Sequence, residues 1–355
     1  MPSPRWFLFL LLLALLPLAN HPAATAATPS PTRAPTRTPI FPLPSGEIAY
    51  FEEIKNTVYY SLALKDLSPS GKSRTLYASG HEARPEIQQG LSWSPDGQKL
   101  IFGMDGDNIR SDIYLLAIGA SEPVNLTSTV LYNELDPAIS PDGRRVAFVS
   151  GRRKTEGYFL DLYTMRIDGG GARLLLECSE HCHHPDWSPD GKQLVFQMGK
   201  DLYLIPAGGG KAQKLTNGGV NQFPAWSPDG EWIAFQRQLV LSANTGGGIY
   251  RIRPDGSGFE KLTPDSFHPG QLTWSPDGQF LAFENSLGMP GYKIVALHIE
   301  SKRTYGLARI AYAPAWRPGS QPKPPTPAAT TAAAGSDCTA GWTRRYRSAP
   351  PAAPC

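Results

Sequence analysis

Short runs of alternating apolar and polar residues recur along the chain, always with the same phrase attached. They read "LSWSPDGQKLIFGM" from Leu91, "PAISPDGRRVAFVS" from Pro137, "PDWSPDGKQLVFQM" from Pro185, "PAWSPDGEWIAFQR" from Pro224 and "LTWSPDGQFLAFEN" from Leu272. Each opens with a short stretch ending in Trp or Ile. Each continues, after Ser-Pro-Asp-Gly, with an alternating stretch carrying Leu100 and Phe102, Val146 and Phe148, Leu194 and Phe196, Ile233 and Phe235, or Leu281 and Phe283. Alternation with period two predicts half-buried strands. Pro fixes φ, Asp can bond backbone amides and Gly accepts positive φ, so the tetrapeptide predicts a turn between two strands. A third run follows ("DIYLLAI", "DLYTMRI", "DLYLIPA", "GIYRIRP", "YKIVALHI"), then a fourth ("VNLTS", "ARLLLE", "QKLTN", "EKLTP"). Each unit thus holds four short strands.

The turn prolines Pro95, Pro141, Pro189, Pro228 and Pro276 are spaced by 46, 48, 39 and 48 residues. A strand-rich period in the forties predicts the blades of a β-propeller. Three strands precede the first full unit, "EIAYFEE", "VYYSLALKD" and "SRTLYAS", with no leading strand. After the last unit comes a lone leading strand, "APAWRPG". The two fragments sum to one blade. The expected fold is all-β: a six-bladed propeller of four-stranded blades, its ring closed by the C-terminal strand 313–318 pairing with the N-terminal strands 46–79. Closure removes the sheet edges that an open array leaves exposed.

The run "PAWSPDG", the fourth strand ending in "LT" and the terminal "PAWRP" resemble the TolB-like six-bladed β-propeller family. The resemblance covers about 270 residues, and the phrase is specific to this propeller class. It implies a binding protein of the cell envelope. No α/β domain of the kind that precedes the TolB propeller is expected here, since only an apolar leader and a spacer precede the blades.

Composition narrows the class. A net charge of +3 over 355 residues leaves no basic field for nucleic acid. Arg5 followed by "WFLFLLLLALLPL" and "AATAAT" reads as an export signal with cleavage after Ala26. The expected organisation is a signal peptide (1–26), a Pro/Thr-rich linker (27–45), the propeller (46–318) and a Pro/Ala/Thr-rich disordered tail (319–355) holding Cys338 and Cys355. The location is extracytoplasmic, periplasmic or secreted. The expected partner is a protein or cell-envelope component. Membrane contact is expected only if the signal segment stays as an anchor, and the chain is expected to be a monomer.

No Gly-x-Ser-x-Gly and no P-loop occurs in the sequence, and no hydrolase domain is expected after the blades. The chain is therefore expected to be non-enzymatic, without cofactor or metal. Asp96, Asp142, Asp190, Asp229 and Asp277 hold equivalent turn positions and read as structural. The repeated Trp93, Trp187, Trp226, Trp274 and Trp316 read as packing between blades. The stretch "CSEHCHH", residues 178–184, leaves three readings open: a Cys178–Cys182 disulfide suited to an oxidising compartment, a metal site with the adjacent histidines, or unpaired residues. The disulfide is the preferred one.

Ligands of propellers meet the channel mouth or one face. The segments entering the first strands place Gln88, Gln89, Asn133, Glu134, Asp136, His181, His183, His184, Asn221, Gln222, His268 and Gln271 there. Unlike the turn residues, they differ from blade to blade. They suit hydrogen bonding to a peptide, a glycan or an ion. Glu134 and Asp136 near His183 and His184 are the best cation candidates. The alternative function is a metal-dependent lyase or hydrolase using these histidines and carboxylates.

Overall fold

In a computed structural model of the chain, the described residues are 43–54, 60–78, 90–105, 110–129, 131–151, 159–239, 247–265, 267, 269–285 and 292–319. The leader, most of the linker, nearly all of the tail, His268, Gln88 and Gln89 lie outside them. Among the described residues the regular elements are all β-strands, in six four-stranded antiparallel sheets. No helix there is long and apolar enough to cross a membrane.

Blade 1 is closed by both ends of the chain. It orders β24 (Ala311–Trp316), β1 (Glu47–Glu53), β2 (Tyr60–Asp66) and β3 (Ser73–Ala78). The closing strand starts two residues earlier than the sequence suggests. The other blades run in chain order from an inner to an outer strand. Blade 2 holds β4 (Leu91–Trp93) to β7 (Val124–Asn125), and blade 3 holds β8 (Glu134–Ile139) to β11 (Arg173–Leu176). Blade 4 holds β12 (Cys182–Trp187) to β15 (Gln213–Lys214). Blade 5 holds β16 (Val220–Trp226) to β19 (Glu260–Lys261), and blade 6 holds β20 (Pro269–Trp274) to β23 (Thr304–Arg309).

The Ser-Pro-Asp-Gly turn repeats its bonding five times. In the first copy the Ser94 hydroxyl donates to Asp96 Oδ1 (2.5 Å), and the Gln98 amide donates to the same oxygen (3.0 Å). The copies at Asp142, Asp190, Asp229 and Asp277 match it. The serine hydroxyl holds the Asp96 and Asp142 carboxyls below their ordinary range, and that of Asp190 down to about 2. These carboxylates are used up in turn geometry.

The hydrophobic core lies between blades, as six clusters, one at each interface. Trp187, Leu194 and Phe196 of blade 4 pack on Ala138, Ala147 and Val149 of blade 3, for example. The second-strand phenylalanines Phe102, Phe148, Phe196, Phe235 and Phe283 are fully buried. Four of them stack on a third-strand tyrosine, with centroids 5.7–6.3 Å apart.

The inner strands are joined by an alternating code. The residue before the recurring Trp or Ile is polar in blades 2, 4 and 6 (Ser92, Asp186, Thr273) and Ala in blades 1, 3 and 5 (Ala315, Ala138, Ala225). Each polar side chain accepts the next blade's backbone amide: Ile139 N to Ser92 Oγ, Trp226 N to Asp186 Oδ2, Trp316 N to Thr273 Oγ1. On the other side, the indoles of Trp93, Trp187 and Trp274 donate to the carbonyls of Ala315, Ala138 and Ala225 of the preceding blade, at 3.0–3.1 Å. All six interfaces are thus bonded, alternately by a side-chain acceptor and by an indole donor. The buried indole N–H of Trp226, outside this scheme, has no acceptor.

Candidate functional site

Numbering back from the recurring Trp or Ile exposes why some predicted mouth residues reach the channel and others do not. Four inner strands, in blades 1, 3, 4 and 5, carry a bulge three and two residues before that position, and blade 6 carries one a residue earlier, where one extra residue enters the ladder. At the position three before it, Gly90, Asp136, His184, Phe223 and Ala313 all have positive φ, from 47° to 78°. For side chains other than glycine this conformation is strained, Phe223 most clearly, and such strain concentrates at functional sites. The bulge turns this position toward the channel. A cavity of about 430 Å³ is lined there by Gly90, Asp136, His184, Phe223 and Gln271, with Asp186 deeper in its wall.

Two residues earlier in the strand the outcome reverses. Glu134, Cys182, Asn221 and Ala311 are completely buried at that position. Glu134 accepts hydroxyl bonds from Thr129 (2.6 Å) and Ser150 (3.1 Å). Asn221 donates to the Lys200 and Gly218 carbonyls and accepts from Arg237. Both hold the scaffold together rather than meeting a ligand. The expectation that they line the mouth is corrected for that reason. Asn133 likewise accepts the Ser111 amide.

His181, His183, His184 and Gln222 gather beside the mouth. They line a second cavity of about 410 Å³ with Phe159, Glu180, Gln197, Gly199 and Phe223. A row of rings crosses it: Phe159, His181, His183, His184 and Phe223, with successive centroids 5.3, 5.9, 5.6 and 4.4 Å apart. The two cavities share His184 and Phe223.

Local chemistry explains how this row is held. Cys178 and Cys182 are joined by a disulfide with Cα atoms 6.1 Å apart. Both sit in the apolar interface between blades 3 and 4. The Cys178 amide donates to Asp161 Oδ1 and the Cys182 amide to the Leu160 carbonyl. This staple fixes the start of β12, and with it the three histidines.

Asp136 is the centre of charge. Its carboxylate is 1% exposed and reaches across from blade 3 to blade 4. Oδ2 accepts the His184 amide (3.0 Å) and lies 3.3 Å from His183 Nδ1. Oδ1 lies 3.3 Å from His184 Nδ1. Burial alone would raise this carboxyl's pKa. The charge of His184 and the hydrogen bond with His183 outweigh burial and hold it far below the ordinary carboxylate range.

Three polar residues escaped the sequence reading. Gln197, Gln236 and Glu284 each follow the recurring second-strand Phe, where blades 2 and 3 have Gly103 and Val149. Gln197 Oε1 and Gln236 Oε1 are buried without a hydrogen bond. Glu284 accepts the Ala313 amide (3.3 Å), and burial pushes its carboxyl up to about 7. Burial similarly pushes Asp186 up to about 6. The available signal was a polar residue at a fixed offset inside an otherwise apolar strand.

For Glu284 the sign of the pH dependence follows directly. A raised acid pKa means the folded state favours the neutral carboxyl. That contribution is full below the ordinary glutamate range and is lost as pH rises through about 7. Glu284→Gln keeps an acceptor for Ala313 and removes the charge. It is expected to stabilise the fold at pH 8 by about 1–2 kcal/mol, allowing for partial exposure, and to gain nothing at pH 4. Urea unfolding at the two pH values checks this; an equal effect at both would contradict it.

Comparison with known proteins bears on the whole ring. Residues 160–321 match the family described as the TolB beta propeller domain. The crystal structure of TolB from Acinetobacter baumannii superposes with a TM-score of 0.65 at 22% identity, over 77% of this chain and 66% of that one. The described residues thus share the propeller fold of TolB, and residues 160–321 match its propeller family. Among curated proteins, an uncharacterized protein of Agrobacterium fabrum (strain C58) is 32% identical over 190 residues, 52% of this chain and 60% of its own length. An uncharacterized peptidase of Bacillus subtilis (strain 168), YuxL, is 32% identical over 111 residues, 30% of this chain and 16% of that protein. The chain spans 60% or less of the length of the curated relatives it matches.

Proposed function

We propose that this protein is an exported, non-enzymatic binding scaffold whose channel mouth takes an extended segment of a protein or cell-envelope partner. One observation carries the reading. The position three before the inner-strand Trp or Ile holds a left-handed φ in five of the six blades, yet carries a different side chain in every blade: Gly90, Asp136, His184, Phe223 and Ala313, with Gln271 at the sixth. A scaffold that spends strain to present unlike groups at one opening suits recognition. Phe223 and His184 offer ring faces, Gln271 and Gln222 offer hydrogen bonds, and the two cavities adjoin at His184 and Phe223. The disulfide and the export-type leader agree with an extracytoplasmic place of work.

A metal-dependent lyase or hydrolase is the second reading, favoured by the convergence of Asp136, His183 and His184. The two part on where a partner touches. Photo-crosslinkers placed at Gln222 and Gln271, and for comparison at Lys211 and Ser257 in exposed strand-to-strand turns, are to be activated in the native host. The scaffold reading expects one protein captured from the two mouth positions and not from the turns. Equal capture from turns and mouth, or none from the mouth, contradicts it.

A further inference from the structure

We propose that Asp136, His183 and His184 form a binding site for one divalent transition-metal ion of the zinc or cobalt type. Each offers one donor atom, and the three donors lie within 4.8 Å of one another. The histidine Nδ1 atoms stand 3.3 Å from the two carboxylate oxygens. Donors bound tetrahedrally to one ion at about 2.0–2.2 Å are separated by about 3.4 Å, so each histidine already stands at ligand spacing from its own carboxylate oxygen.

Four features of the molecule support the assignment. First, Asp136 Oδ1 is buried and accepts no hydrogen bond, although His184 Nδ1 is at ion-pair distance. A buried carboxylate oxygen left in this state is costly, and a cation between it and the ring nitrogen removes the cost. Second, the ligands are fixed before any ion arrives. The His184 amide clamps Oδ2, the disulfide anchors β12, and Asp136 and His184 hold left-handed φ values of 54° and 50°. Third, the donor set is two imidazoles and one carboxylate. That set suits zinc, cobalt, nickel or iron, whereas calcium and magnesium prefer all-oxygen sites. Fourth, the site is open on one side. His183 is 28% exposed at its side chain and lines the cavity beside the mouth, so an ion held by three protein groups keeps a free position facing that space. The site spans blades 3 and 4, so an ion there would also clip their interface. This inference stands apart from the peptide-binding reading, since neither needs the other.

The test uses the untagged full-length protein with its disulfide intact, stripped with a chelator and dialysed against zinc or cobalt chloride. The expected result is one ion per chain, with a visible cobalt spectrum showing nitrogen and oxygen ligands. His183→Ala and His184→Ala are each expected to weaken binding at least about tenfold, the scale seen when a metal's supporting groups are removed. His298→Ala, at the end of the third strand of blade 6, is expected to leave metal binding unchanged. Zinc is also expected to raise the melting temperature of the wild type and not of the double variant His183→Ala/His184→Ala. Because His183 is partly exposed, its variant reports on the ion even if Asp136→Asn fails to fold. Undiminished binding by the folded double variant, no binding of either ion, or binding of calcium alone overturns the assignment.

Discussion

A chain ended after Ile310 is expected to lose cooperative folding and to aggregate, whereas one ended after Gly319 melts like the full-length protein. The nine residues between carry β24, the inner strand of blade 1. Without it, β1 loses the pairing of Ile48 with Trp316, Ala49 with Ala315, Phe51 with Tyr312 and Glu52 with Ala311. Trp93 loses the Ala315 carbonyl, and the blade 2 turn loses the Arg317 guanidinium that donates to the Gly97 carbonyl. The ion pair of Arg317 with Glu47 goes as well. Two interfaces open together, because Trp316 packs with Phe280 of blade 6 while Ala313 and Ala315 pack with blade 2. What remains is a five-bladed array with the hydrophobic edge of β1 exposed, a template for aggregation. Size-exclusion chromatography and thermal melts of the two truncations check this. A chain ended after Ile310 that stays monomeric and melts within a few degrees of wild type would show that closure matters little.

Phe148→Ala is expected to cost about 3–5 kcal/mol, the scale for deleting a fully buried aromatic ring. Phe148 is 0% exposed, stacks on Tyr163 with centroids 5.7 Å apart, and fills the interface between blades 2 and 3 with Ile101, Ile113 and Met165. The neighbouring strands are held by their own ladders and turns, so the gap cannot close by collapse. Phe148→Leu, which keeps most of the volume, is expected to lose less than half as much. Chemical unfolding of both variants measures the difference, and a loss below about 1 kcal/mol for the alanine variant would contradict this account of the core.

The fold was legible because its punctuation is chemical. Five copies of one turn, each with a serine, a proline, an aspartate and a glycine in fixed roles, set the strand pairs, and the two end fragments set the closure. The six-bladed, all-β, TolB-like architecture follows from these residues. The site was legible only in part, for a geometric reason. Asp136 and His184 differ from Glu134 and Asn221 by two places in strand position, and a simple alternating strand would put all four on one side. The bulge with its positive φ breaks that parity, leaving Glu134 and Asn221 in the scaffold. Nothing in a single blade's sequence announces a bulge at a residue such as Phe223. Gln197, Gln236 and Glu284 were hidden because they sit in strands whose apolar neighbours marked them as core. The alternation of Ser92, Asp186 and Thr273 with three alanines was present in the sequence, but its meaning needs the ring closed.

The measurement that most directly tests the central claim is the affinity for the partner captured at the mouth, wild type against His184→Ala/Phe223→Ala. These two side chains border both cavities. The account predicts binding weakened by about 100-fold or more, as expected for two central contacts, at a temperature where circular dichroism shows the variant still folded. Unchanged affinity in a folded variant would mean that the partner is held elsewhere on the propeller and that the strained ring is not its site.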